Sequence, residues 1–285
     1  MLTGKLNYRV VTDGLIFPEG PICMADGSVL VVEIKGARLI RVLPNGEKQV
    51  AAELGGGPNG AAIGPDGACY VCNNGGFNWL QEPIFGVAAY NRPHGRANDY
   101  TGGSIQRVDL ATGEVTTLYT HCGDIPINGP NDIVFDANGD LWFTDHGKTY
   151  GRQMDCGAVF HAAADGSWIR QVVFPMVTPN GCGLSPDDKT LYVSETETGR
   201  LWRWPITGTS EVEKVAWPSP NGGTMLGRPP AISASIRWRW KPAAISAWRP
   251  WSPAASPYSR PRAKSSNTGR DRNPIAPTSP LAVRT

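Results

Sequence analysis

Apolar and polar positions alternate with period two over most of the first 226 residues, and helical periodicity is nearly absent. One pattern recurs four times: "PEGPICMADGSVLVVE" from Pro18, "PNGAAIGPDGACYVCN" from Pro58, "PNDIVFDANGDLWFTD" from Pro130 and "PNGCGLSPDDKTLYVSE" from Pro179. Each copy has Pro, then Glu or Asn, then a short apolar alternation. A turn at Asp-Gly, Asn-Gly or Asp-Asp follows, and then a second alternation. Two such runs around a tight turn predict a β-hairpin. Behind the copies come "RLIRVLPNGEKQVAAE", "SIQRVDLATGEVTTLY", "AVFHAAADGSWIRQVV" and "RLWRWPITGTSEVEKV", each again strand, turn, strand. One unit is therefore four short antiparallel strands.

The copies start 40, 72 and 49 residues apart. Two of these intervals match a propeller blade of roughly 40–50 residues. The long interval contains "GGFNWLQEPIFGVAAYNRPHGRANDY", expected to be a long loop. An all-β propeller fits best, with a plain β-sandwich as the alternative. Glu19, Asn59, Asn131 and Asn180 share one slot in their blades. Rotation about a central channel would bring such slots to one ring at one end. A carboxylate and amide oxygens around that ring suit a hard cation such as Ca²⁺ or Mg²⁺. Asn after Pro also serves as a cap or turn residue; a Glu in the same slot as three Asn favours the ring.

Composition narrows the class. Thirty-four glycines and 25 prolines suit a turn-rich β protein. No apolar run is long enough to span a membrane, and "MLTGKLNYRVVTDG" lacks the apolar core of a signal peptide. Six cysteines are scattered. Cys69 and Cys72 form a CxxC inside a strand-like run with no second pair, which argues against structural zinc and for reduced, mostly buried thiols. A cytoplasmic location is expected from that.

The chain resembles the gluconolactonase, regucalcin and senescence-marker-protein family of six-bladed β-propellers. The motifs are "FPEGP" around Glu19, "GPND" around Asn131 with "FDANGDLWFTD" behind it, and "TPNGCGLSPDDKTLYVSET" around Asn180. The likeness runs from about residue 8 to about 226. It implies one divalent cation at the channel mouth, Ca²⁺ first, with Zn²⁺, Mg²⁺ or Mn²⁺ as alternatives. It also implies hydrolysis of a small-molecule lactone. Glu19, Asn131 and Asn180 match three of the family's ligands; the fourth, an Asp that is also a candidate base, belongs to a fifth copy. Asn59, Asp132 and His146 are implied as substrate contacts, although Asp145 and His146 also suit the strand-end turn. Some members carry Arg two residues before the second ligand, where this chain has Gly129. An organophosphate hydrolase on the same metal, or a non-catalytic calcium-binding propeller, is the alternative function. Nucleic acid and membrane partners are not expected, and oligomeric state is left open.

Near Gly227 the composition changes, which divides the chain into an incomplete propeller, 1–226, and a tail, 227–285. Residues 228–285 hold eleven Lys or Arg and one acid, Asp271, whereas the first 227 carry a net charge of −8. "GRPPAISASIRWRWKPAAISAWRPW" packs four tryptophans among prolines and arginines. A shifted reading of codons that can encode "SIRWRWK" yields DSLAVE, followed by an alternation, a turn and a second alternation. The tail therefore reads as a frame-shifted, disordered stretch that replaces the Asp-bearing copy. A basic, aromatic tail for nucleic acid or membrane is the alternative. On the first reading the chain as written should bind metal weakly or not at all and hydrolyse little.

Overall fold

The computed structural model of the chain describes residues 9–84, 87–227 and 281–283. Four antiparallel sheets follow one another in sequence order. Blade one comprises Pro18–Cys23, Val29–Glu33, Arg38–Val42 and Lys48–Glu53. Blade two comprises Pro58–Ile63, Cys69–Asn73, Ser104–Val108 and Val115–Tyr119. Blade three comprises Pro130–Phe135, Leu141–Asp145, Gly157–Ala162 and Ile169–Met176. Blade four comprises Pro179–Leu184, Thr190–Glu195 and Leu201–Gly208, with Glu211–Val212 and Thr224–Gly227 both pairing along the last of these. The first strands of successive blades lie side by side, as around a propeller channel. The tail expected over 227–285 lies outside the described residues apart from Gly227 and Leu281–Val283, which pairs with Arg9–Thr12. The expected frame shift falls in these residues too. Among the described residues no helix is long and apolar enough to cross a membrane.

The repeated turn is explained by backbone conformation. Gly27, Gly67 and Gly139 have φ of 80°, 79° and 85°, and Asp188, in the same position of blade four, has φ of 54°. Glycine takes this left-handed region without strain, and Asp tolerates it better than most residues.

Alternation takes a different form in the second strand of each blade. Val29–Glu33, Cys69–Asn73 and Leu141–Asp145 are buried at every position, because each lies between two other strands and is covered on both faces. Leu30, Val32, Ala61 and Val71 fill the layer between blades one and two. Tyr70, Ile105, Phe143 and Phe160 fill the next layer, and Trp142, Val173, Val193 and Trp204 the third. The CxxC is split by this geometry: Cys69 belongs to the first layer and Cys72 to the second, on opposite faces of one strand. They form no metal or redox pair. Cys69, Cys72 and Cys182 are buried, while Cys23 and Cys156 are exposed.

The expected long loop, inserted between the second and third strands of blade two, is instead a hairpin, Phe77–Ile84 paired with Val87–Arg96. Pro83, Pro93 and the glycines obscure its alternation, yet a two-stranded ribbon tolerates prolines because its edges need no partner. Trp79 packs edge-on against Phe17 at 4.9 Å, and Lys35 Nζ donates to Asn91 Oδ1 at 2.6 Å, which tie the hairpin to blade one.

Candidate functional site

Each first strand opens on the repeated proline, and register places that proline opposite a buried polar residue. Pro18 faces Glu33, Pro58 faces Asn73, Pro130 faces Asp145 and Pro179 faces Glu195. These four side chains are 0%, 4%, 4% and 1% exposed, so their oxygens must find donors inside the protein. They do so in the loop that leads into the same first strand. Ile16 N donates to Glu33 Oε1 at 2.7 Å, Gly57 N to Asn73 Oδ1 at 2.8 Å, and Val177 N to Glu195 Oε1 at 2.9 Å. Asp145 takes three N–H groups, from Asn128 at 2.7 Å, Gly129 at 2.6 Å and Gly147 at 2.8 Å. Burial pushes the Asp145 carboxyl up, and these amides pull it back. A second bond repeats beside each latch: Ile34 N to Phe17 O, Asn74 N to Gly57 O, His146 N to Gly129 O and Thr196 N to Thr178 O. The four slots that follow the prolines are thus held by one device used four times.

In every first strand the register slips just after the slot: between Glu19 and Ile22, Pro58 and Ala61, Pro130 and Ile133, and Pro179 and Cys182. Bulges re-aim side chains and recur beside functional sites. Glu19 is exposed, and Asn59, Asn131 and Asn180 are half-buried. Asn180 donates Nδ2 to Thr196 Oγ1 at 3.0 Å, which leaves its amide oxygen on the other side as an acceptor. Blades two and three touch backbone to backbone here. A Cβ on Gly60 would lie 2.3 Å from Asn131 O and 2.7 Å from Asp132 Cα, so only glycine allows this approach.

The remaining sequence candidates separate. Asp132 is 3% exposed; its Oδ2 accepts from Cys182 N at 3.2 Å, and its own N–H donates to Thr144 Oγ1. It bridges the first strands of blades three and four. His146 lines an open cleft of about 720 Å³ at the same mouth, bounded by the hairpin, the 146–151 loop and Glu197. Burial holds its imidazole down to about 4, so the ring is neutral at neutral pH. A side chain at position 129 would place its Cβ 2.5 Å from Gly147 O, which accounts for glycine there.

Three features escaped the sequence reading. Lys148, 2% exposed, donates Nζ to Asn74 Oδ1 at 2.9 Å and Gly76 O at 2.8 Å, and lies 3.9 Å from the centre of the Phe77 ring. Burial lowers its amine to about 7, against the pull of Asp145. The hairpin brings Arg92, His94 and Arg96 to the cleft; the basic run "NRPHGR" was the only sequence signal for this. At the other end of blade three, Asp136, Asp140 and His161 offer ligand atoms within 4.8 Å of one another. There Asp136 accepts from His161 Nε2 and Trp142 Nε1, both at 3.2 Å, and from the Asn138 and Asp140 amides. The His161 Nδ1 meets Ser210 Oγ at 2.8 Å. These bonds anchor the turn, and the three ligand atoms are also close enough together to hold a divalent cation.

The comparisons place the chain in a family. The profile of the SMP-30/Gluconolactonase/LRE-like region matches residues 17–219, and the chain belongs to that family. It is 24% identical over 212 residues to a gluconolactonase of Zymomonas mobilis, covering 66% of this chain and 51% of that protein. It is 29% identical over 204 residues to lactonase drp35 of Staphylococcus haemolyticus, covering 71% and 54%. The chain thus spans about half the length of these relatives. Among solved structures, a gluconolactonase from Xanthomonas campestris superimposes with a TM-score of 0.56 at 21% identity, over 73% of this chain and 64% of that one. A calcium-binding regucalcin from Agrobacterium tumefaciens gives 0.52 at 23%, over 74% and 61%. These two share the propeller fold of the family.

Proposed function

We propose that the chain carries the mouth of a metal-dependent lactone hydrolase, in which Glu19, Asn131 and Asn180 hold one divalent cation. The observation that supports this reading is the fourfold latch, which holds the four slots at equivalent, bulged positions of their blades. The relatives named gluconolactonase and lactonase supply the reaction class. The donor set fits a hard cation: one carboxylate and two amide oxygens, with no sulfur or imidazole. A bound cation there would polarise a lactone carbonyl and favour charge on its oxygen.

The net reaction adds water across the ester. The water oxygen bonds to the carbonyl carbon, the bond from that carbon to the ring oxygen breaks, and the ring oxygen leaves with a proton as a hydroxyl group. His146, neutral and on the cleft wall, presents a hydrogen-bonding ring rather than a charge. Asp145 acts on the site only through the loop it latches. No fifth copy of the repeat, which would carry the family's Asp ligand, is readable after the fourth in this sequence. With one carboxylate in the described set, affinity for Ca²⁺ should be weak, on the order of 10⁻³ M.

A panel of γ- and δ-lactones, followed by acid release in a weakly buffered indicator assay, tests the reading. Slow hydrolysis that requires added Ca²⁺, stops with chelator and is lost in Glu19→Gln is expected. Hydrolysis untouched by chelator, or none across the panel at millimolar Ca²⁺, would overturn it.

A further inference from the structure

The cleft beside the mouth has a charge bias that the proposed reaction does not use. Its described walls include Arg92, His94 and Arg96 but one carboxylate, Glu197. Arg92 is engaged, its Nε donating to Glu82 across the hairpin. Asp155, below the wall, accepts from Lys148 N and Tyr150 O–H. Arg96 differs. It is exposed, and it makes no ion pair among the described residues. Its guanidinium carbon lies 4.6 Å from the centre of the Tyr150 ring and 5.2 Å from that of Tyr100. Tyr100 is fixed in turn, its hydroxyl donating to Asn128 O at 2.7 Å in the loop that leads to Asn131.

Aromatic contact leaves the guanidinium N–H groups at its rim while restricting its rotation, and a planar fork matches a carboxylate or phosphate oxyanion. The hairpin thus holds a preset cation on the wall of a cleft of ligand size. We propose that Arg96 is a specificity-determining residue that selects lactones bearing an anionic substituent, a carboxylate or a phosphate monoester. This rests on the lactone-hydrolase reading above. The anion would meet the Arg96 fork while the ester carbonyl lies toward Glu19, Asn131 and Asn180. Glu197, across the cleft, would disfavour an anion placed on its own side and so set the ligand's direction.

The test uses the full chain and three compounds on one δ-lactone ring: unsubstituted, carboxylated and phosphorylated. Calorimetry gives binding to each, and the indicator assay gives kcat/KM. A preference of about tenfold or more for an anionic ring over the neutral one is expected, the size of one charge-assisted contact. The carboxylated and phosphorylated arms show which oxyanion the fork prefers. Arg96→Gln should cut the anionic-to-neutral ratio by about tenfold, and Arg96→Lys should restore part of it. Equal binding of all three rings by the wild type would overturn the inference even if a variant failed to fold, as would a preference that survives Arg96→Gln. Anion preference in binding without hydrolysis would sink the lactonase reading and support this one; hydrolysis without preference would do the reverse.

Discussion

Replacing Asp145 with alanine should cost more stability than any surface change in blade three. The side chain is 4% exposed and accepts from three backbone N–H groups at 2.6–2.8 Å. Alanine leaves those donors in a volume closed to bulk water. A buried unsatisfied donor costs about 1–3 kcal/mol, so three give roughly 3–9. Two effects bring the figure to the low end. Water can enter the vacated space and serve one or two of the donors, and removing the buried charge recovers its desolvation cost, the same cost that raises its pKa. A net loss of about 3 kcal/mol follows, a large share of the roughly 5–15 kcal/mol typical of a domain. Urea titration by tryptophan fluorescence measures it as a lower midpoint at unchanged slope. The exposed turn residue Asp187 is the comparison, and Asp187→Ala should leave the midpoint nearly in place. Asp145→Asn keeps one acceptor oxygen but turns an amide N–H toward the donors, so it should fall between the two. A loss below about 1 kcal/mol for Asp145→Ala would refute the latch as the device that fixes the Asn131 loop.

Gly60→Ala should push Asn131 O and Asp132 Cα away from a new Cβ that would meet them at 2.3 and 2.7 Å. Overpacking of this kind costs about 1–3 kcal/mol and should weaken Ca²⁺ binding at the same time; wild-type urea and calcium titrations in this variant would contradict the blade contact. Lys148 predicts a pH effect. The unfolded chain keeps this amine protonated to about pH 10, whereas burial lowers it to about 7 in the fold. The unfolded state then binds more protons between these values, so stability should rise with pH across that window. Lys148→Met should flatten the rise, and parallel curves for the two proteins would contradict the assignment.

The blades were legible because the signals lie close in sequence: a turn with Gly or Asp at one position, an alternation on each side, and Pro plus Glu or Asn ahead. The latch residues were also within reach, since Glu33, Asn73, Asp145 and Glu195 fall 15, 15, 15 and 16 residues after the repeated prolines. Their role was not legible, because it depends on backbone amides that carry no sequence mark. Asp132 follows Asn131 directly, yet the strand turns it into the layer between blades three and four. Lys148 stands in "HGKTY", where composition suggests a solvated loop; only the fold shows Phe77 and Asn74 closing over it. The hairpin was hidden by its prolines, and with it Arg96.

The central claim is that the slot after the repeated proline is where a cation binds. Titration of the full chain with Ca²⁺, followed by thermal unfolding, tests it most directly. With a dissociation constant on the order of 10⁻³ M, 10 mM Ca²⁺ should stabilise the wild type by about 1.4 kcal/mol, a rise of a few degrees in Tm. Glu19→Gln and Asn180→Ala should abolish that rise, and Asp136→Asn should leave it. A rise that persists in the first two variants and disappears in Asp136→Asn would place the cation at the blade-three turn and contradict the account.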